Sequence, residues 1–313
     1  MAATSLGSVQ PRLSREQNIK ELLHAGVSHH QGGRFTEADS LYKKVLKADP
    51  DNYVALQLLG VLAAQTGHML ISLNLLSKAI SLKPDYVDAL SNRGNVLQKL
   101  GRFDEALKDY NKALSLKPDH VDALYNRGIV LKELKRFDEA ITDYSKAISL
   151  KPDYVEAFNN RGNVLQGLGR FDEALKDYNK ALSLKPDHVE ALNSRGFALQ
   201  ELRRFDEAMA DYNKAISLKP DYAEAHWNKS LQLLKQGEFP LGWELYEWRW
   251  KKTSAPLLVR KFTQPLWLGK ENLCNKTILL HCEQGLGDTI QFSRYAAEVS
   301  KLGCRTILEV QEP

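Results

Sequence analysis

Residues Val87 to His120 recur at Val155 to His188 with only four changes: Asp88 to Glu156, Leu90 to Phe158, Ser91 to Asn159 and Lys99 to Gly167. Val121–Tyr154 and Val189–Tyr222 repeat the same pattern less closely. Pro84, Pro118, Pro152, Pro186 and Pro220 fall at one place in each unit, as do Gly94, Gly128, Gly162 and Gly196. A sustained period of about 34 residues excludes most globular architectures. Every unit must adopt one local structure, and its apolar face is covered only by the next copy. The chain must therefore fold as a stack.

Each unit reads as two helices. Asp85 with Asp88, and Asp153 with Glu156, have capping-box spacing ahead of the first helix. Val87, Leu90, Gly94 and Leu97 then recur at intervals of three and four, the helical period. Gly101 marks a turn. The second helix is expected from about Asp104 to Leu116, ending before Pro118, which cannot continue it. Small Gly94, Ala106 and Ala113 allow close helix approach.

The order Ala89, Leu90, Gly94, Leu97, Gly101, Phe103, Ala106, Tyr110, Ala113, Pro118 resembles the tetratricopeptide repeat (TPR) family. This implies an all-α fold, a right-handed superhelical solenoid of helical hairpins with a concave groove. Stepping the period in both directions gives a lead-in over 1–18 and a solenoid over 19–256. Its units are 19–52, 53–86, 87–120, 121–154, 155–188, 189–222 and a degenerate cap, 223–256. Residues 257–313 form a linker and an incomplete α/β segment.

In TPR arrays the first helices line the groove. Here that row carries Asn92, Asn126, Asn160, Ser194 and Asn228. Asn95 and Asn163 lie three residues on, alternating with Ile129 and Phe197, followed by Gln98, Gln166 and Gln200. An amide offers both acceptor and donors, so a row of them suits an extended peptide backbone. The row resembles the asparagine ladder of O-GlcNAc transferases. The expected partners are proteins or peptides. The competing reading is that these amides only solvate an exposed face.

Arg93, Arg127, Arg161 and Arg195 look like a basic stripe, but their units carry Asp109, Asp143, Asp177 and Asp211. The first two units replace both members with apolar residues, Ala25 with Leu41 and Leu59 with Leu75. A pair that switches together reads as an interhelical ion pair. Lys and Arg number 43 against 39 Asp and Glu, interspersed, which argues against nucleic acid as a partner. No apolar run reaches the ~18 residues of a membrane span, and residues 1–10 lack a secretory signal pattern. The three cysteines, Cys274, Cys282 and Cys304, fit neither a disulfide framework nor a zinc site. A reduced, cytoplasmic protein is expected, without metal or cofactor. His29 and His30 read as surface residues at a turn, and His281 as a core or site-wall residue.

All five tryptophans, Trp227, Trp243, Trp248, Trp250 and Trp267, fall late in the chain. Trp243, Tyr246 and Trp250 share one face of an expected helix that seals the solenoid. After a linker at 254–264 the pattern becomes strand (277–282), glycine loop (283–289), helix (290–302) and strand (305–310), one βαβ unit with Asp288 or Thr289 as helix cap. The string from Leu279, LLHCEQGLGDTIQFSRYA, resembles the start of the catalytic region in bacterial TPR–glycosyltransferase fusions and the first βαβ of heptosyltransferase-like enzymes. That likeness implies Asp288 as candidate base and Gly285 and Gly287 as lining of a phosphate or cleft loop. Those enzymes need two complete α/β domains. No activity is expected of this chain alone, and a nucleotide-sugar only of an extended one. The reading is a peptide-binding scaffold serving as recognition arm of a glycosyltransferase. The alternative is the N-terminal part of such an enzyme.

Overall fold

A computed structural model of the chain describes residues 15–252, 262–282 and 286–310, leaving aside the side chains of 286 and 288. The chain divides into two compact units, Met1–Asp221 and Tyr222–Pro313.

The first unit is a run of helical hairpins. They pair α1 (Arg15–Gln31) with α2 (Phe35–Ala48), α3 (Tyr53–Gln65) with α4 (Met69–Leu82), and α5 (Val87–Lys99) with α6 (Phe103–Leu116). α7 (Val121–Glu133) pairs with α8 (Phe137–Leu150), α9 (Val155–Gly167) with α10 (Phe171–Leu184), and α11 (Val189–Glu201) with α12 (Phe205–Leu218). Each helix packs chiefly on its sequence neighbours. The core is therefore a continuous seam, with Leu97, Leu107, Tyr110, Leu124, Leu131 and Tyr144 in its middle stretch.

The glycine of each first helix faces the ring of the second. A Cβ at Gly94 would stand 2.6 Å from Tyr110 Cε1, and at Gly162 2.7 Å from Tyr178 Cε1. Any larger residue would push the tyrosine out of a seam where it is fully buried. The inter-helix turn needs a left-handed residue. Gly101 and Gly169 supply it at φ 72° and 74°, but Lys135 and Arg203 hold φ 60° without glycine's freedom.

The helix starts differ from expectation. The cap position is residue 86, 120, 154 or 188, one later than Asp85 or Asp153, so the carboxylate spacing does not form a capping box. Asn52 caps through its side chain, and His120 and His188 accept through Nδ1 from Ala123 and Ala191 N–H at 3.2 Å. His29 and His30 lie in the last turn of α1 rather than at a turn. His30 bonds Gln65 Oε1 through Nε2 at 2.7 Å, joining the first two hairpins.

The second unit begins with α13 (Ala223–Lys235) and a short α14 (Phe239–Tyr246), followed by a 3₁₀ turn, Glu247–Lys251. Trp250 therefore sits beyond the α-helix that was expected to carry it. The rings pack on one another: Trp227 on Tyr246 at 4.7 Å, and His226 stacked on Trp248 at 3.9 Å. Trp243 stays 53% exposed.

The stretch read as a linker lies largely outside the described residues. β1 (Thr277–His281), α15 (Leu286–Ser293), α16 (Tyr295–Ser300) and β2 (Arg305–Glu309) follow. The strands pair in parallel from Thr277↔Arg305 to His281↔Glu309, so the βαβ reading holds. Its helix is two helices parted at Arg294, and the first begins by Leu286. Asp288 is thus inside α15 rather than at its cap.

Candidate peptide-binding site

The first helices α5, α7, α9 and α11 carry Asn92, Asn126, Asn160 and Ser194 at equivalent positions, all half-buried. Asn92 makes no side-chain hydrogen bond among the described residues. The rest of the amide row is partly spent on the scaffold. Asn95 Oδ1 accepts from Tyr110 Oη at 2.7 Å and from Asn126 Nδ2 at 2.9 Å. Gln98 Oε1 also takes the Tyr110 hydroxyl, at 3.2 Å. Asn163 and Gln166 hold Tyr178 Oη in the same way, at 2.9 and 3.1 Å. Asn160 Nδ2 donates to Tyr125 Oη at 2.9 Å. Gln200 is buried and meets Tyr212 Oη at 3.4 Å. Asn228 is half-buried on α13 in the second unit.

These bonds give the alternation of the sequence a physical meaning. A buried tyrosine hydroxyl needs an acceptor. Asn95 and Asn163 provide one in alternate hairpins. Where Ile129 stands instead, Tyr144 Oη is buried with no partner.

The arginine stripe is tied down. Arg93 grips Asp109 through Nε and Nη2, both at 2.7 Å, and the geometry repeats for Arg127–Asp143, Arg161–Asp177 and Arg195–Asp211. The four carboxylates are buried. Each Nη1 reaches back to the preceding hairpin, to Ser77, Asn111, Ser145 or Asn179. One guanidinium thus joins three helices. The hydrogen bond to its carboxylate raises the pKa of Arg93 and of Arg195 above the usual value.

One feature was not singled out from the sequence. Tyr125, where other units have Ser91, Asn159 or Asn193, packs its ring 4.8 Å from Tyr154. Lys151 Nζ stands over Tyr154 at 4.6 Å. Burial raises the pKa of both tyrosines, and Glu156 raises both further, joined at Tyr154 by Tyr125 and Asp122. The signal was available, since Tyr125 stands apart from Ser91, Asn159 and Asn193 within the four close repeats.

In the tail, Gly285 and the side chain of Asp288 lie outside the described residues. Gly287 is in the first turn of α15, with open space where a Cβ would project. His281 is half-buried, with Phe262 5.0 Å from its ring. Among the described residues no group of His, Cys, Asp or Glu could hold a metal, and no helix is long and apolar enough to cross a membrane.

Tetratricopeptide repeat models match residues 22–52, 87–120, 109–142, 155–188 and 189–222, and a TPR repeat model matches 130–169, together more than half of the chain. No curated protein matches it. Among solved structures, one from the functional characterization of Pseudomonas aeruginosa pilF is similar with a TM-score of 0.63, at 18% identity over 72% of this chain and 100% of that one. A tetratricopeptide repeat protein from Parabacteroides merdae gives 0.59, at 24% identity over 74% and 91%. YrrB, described as a TPR protein with an unusual peptide-binding site, gives 0.51, at 24% identity over 59% and 95%. At these identities the likenesses speak for the fold. The sequence models and the hairpin geometry together make the chain a member of the tetratricopeptide repeat family.

Proposed function

We propose that this chain is a protein-binding scaffold whose first helices hold an extended polypeptide segment. The observation that carries the reading is the half-buried row Asn92, Asn126, Asn160 along α5, α7 and α9. Asn126 and Asn160 each spend an amide N–H on the scaffold, through Asn95 and Tyr125, which fixes the side chain and leaves its carbonyl oxygen without a hydrogen bond among the described residues. Preorganised amides lose little freedom on meeting a peptide backbone. YrrB's peptide-binding site is in keeping with this use of the fold. In this reading the solenoid runs over 19–256, and Asn95, Gln98, Asn163, Gln166 and Gln200 position the row more than they touch ligand.

The test is fluorescence anisotropy of labelled twelve-residue peptides with the full chain and with Asn92→Ala/Asn126→Ala/Asn160→Ala. Binding should weaken at least tenfold while the helical signal persists. Equal affinity for every peptide would remove the row from the site.

A second reading is favoured by the parallel βαβ of the tail. In it the scaffold is the recognition arm of a glycosyltransferase, over 257–313 the opening of its α/β domain, with Asp288 as base and Gly285 and Gly287 at the cleft. Its test is transfer of radiolabelled sugar from a panel of nucleotide-sugars to peptide by the full chain; absence of transfer and of nucleotide-sugar binding would count against it. Transfer that survives Asp288→Asn would exclude Asp288 as base.

A further inference from the structure

The residue ahead of each first helix from α3 onward is Asn52, Tyr86, His120, Tyr154, His188 and Tyr222. Three of the six cap the helix through a side chain. Asn52 Oδ1 accepts from Ala55 N–H at 3.0 Å. His120 Nδ1 and His188 Nδ1 accept from Ala123 and Ala191 N–H, each at 3.2 Å. Asparagine and histidine thus do one job at one repeat position: they satisfy the third N–H of the helix. The tyrosines ahead of α5, α9 and α13 make no such bond.

The two kinds of cap differ in one respect. An amide oxygen accepts at any pH the fold meets, whereas a ring nitrogen accepts only while it carries no proton. Protonation sets an N–H against the helix N–H and puts a positive charge at the positive end of the helix. Imidazole is the side chain that changes charge between about pH 5 and 8. Neither ring is sealed from water, the His120 and His188 side chains being 15% and 10% accessible.

The charged ring also has somewhere to turn. Asp88 Oδ1 of α5 lies 3.9 Å from His120 Nε2, and Glu190 Oε2 of α11 lies 3.4 Å from His188 Nδ1. Asp119 and Asp122 flank His120 in the chain, Asp187 precedes His188, and Glu156 of α9 holds the place of Asp88. The neighbouring cations are Lys117 and Lys185, whose carbonyls take the backbone N–H of the two histidines at 3.2 Å. Acids therefore outnumber bases around both rings.

We propose that His120 and His188 are acid-operated caps. Neutral, they hold the first turns of α7 and α11. Protonated, they release Ala123 and Ala191 N–H and turn to the carboxylates. Asn52 makes α3 indifferent to the same change, so acid loosens the array at two alternate hairpins and not along its whole length. The device is independent of what the groove holds.

The experiment is hydrogen–deuterium exchange of the full chain at pH 7.5 and 5.5, read by mass spectrometry and normalised to the intrinsic chemical rate at each pH. Protection over 121–126 and 189–194 should fall about fivefold or more at pH 5.5, the equivalent of one lost cap. Protection over 53–58 should not change. His120→Asn/His188→Asn, which copies the Asn52 cap, should keep 121–126 and 189–194 protected at both pH values. Equal protection at the two pH values in the parent chain would overturn the proposal. So would a fall that persists in the double asparagine variant, or one shared by 53–58, since either would place the acid response elsewhere in the fold.

Discussion

Asn126 Nδ2 donates at 2.9 Å to the same Asn95 Oδ1 that takes the hydroxyl of Tyr110, although 31 residues separate the two asparagines. Side chains that look like a ligand row are thus also part of the joint between hairpins. Asn95→Ala should strip Tyr110 and Asn126 of their shared acceptor and cost about 1–2 kcal/mol. Asn92→Ala should fall within about 0.5 kcal/mol of the parent. Urea unfolding followed by circular dichroism separates them, and equal costs would contradict this division.

The buried tyrosines should respond differently to loss of their hydroxyls. Tyr110→Phe and Tyr178→Phe each give up a made hydrogen bond and should cost about 1 kcal/mol. Tyr144→Phe removes a buried hydroxyl with no partner and should be neutral or stabilising. Thermal melts of the three variants rank them, and a Tyr144→Phe loss matching the others would refute the explanation of the alternation.

Lys135 and Arg203 hold the left-handed turn that Gly101 and Gly169 hold elsewhere. Relief of that conformation outweighs the extra freedom glycine gives the unfolded chain. Lys135→Gly should therefore stabilise by about 0.5–1 kcal/mol. Gly101→Lys should destabilise by a similar amount, and denaturation midpoints of the pair provide the check.

Asp109 is 5% exposed and holds Arg93 with two bonds. Asp109→Ala leaves a half-buried guanidinium without its carboxylate, at a cost of about 3 kcal/mol. Arg93→Ala with Asp109→Leu reproduces the Ala25–Leu41 pairing of the first hairpin and should recover most of the loss. A double variant as unstable as the single one would show that the switch is not a closed exchange.

Alkaline titration reports on the seam. Burial raises the pKa of Tyr42, Tyr110, Tyr144, Tyr178 and Tyr212, and pushes Tyr86 up to about 12. An unfolded tyrosine ionises near pH ~10. Above that the unfolded chain holds fewer protons than the native one. Stability is then at its full value below pH ~10 and falls as pH rises through 10 towards and beyond the folded values. Tyrosinate absorbance from the seam and loss of helical dichroism should appear together. Complete ionisation of the tyrosines with the helices intact would contradict the burial.

Much of this was legible in the sequence because a repeat presents each rule several times. The proline after Leu116, the glycine against Tyr110 and the Arg93–Asp109 pair follow from period, size and paired replacement. Carboxylate spacing does not locate the caps, because the helix starts one residue later and His120 caps with a ring nitrogen. The asparagine roles were incomplete for another reason. Asn95 and Asn126 meet only when hairpins stack, and a single unit gives no sign of that contact. The tail occurs once, so its helix break at Arg294 had no second copy to expose it.

The guanidinium that joins three helices also sets how the array comes apart under tension. A pull on the ends would meet a tether at each of the four junctions held by Arg93, Arg127, Arg161 and Arg195. The Ala25–Leu41 hairpin carries no such tether and would peel first, whereas Arg93 holds the Leu59–Leu75 hairpin through Ser77. Each later rupture would free one 34-residue repeat, roughly 110–120 Å of contour. The force trace would be a low shoulder followed by evenly spaced teeth, making the molecule a graded spring softest at its amino-terminal end.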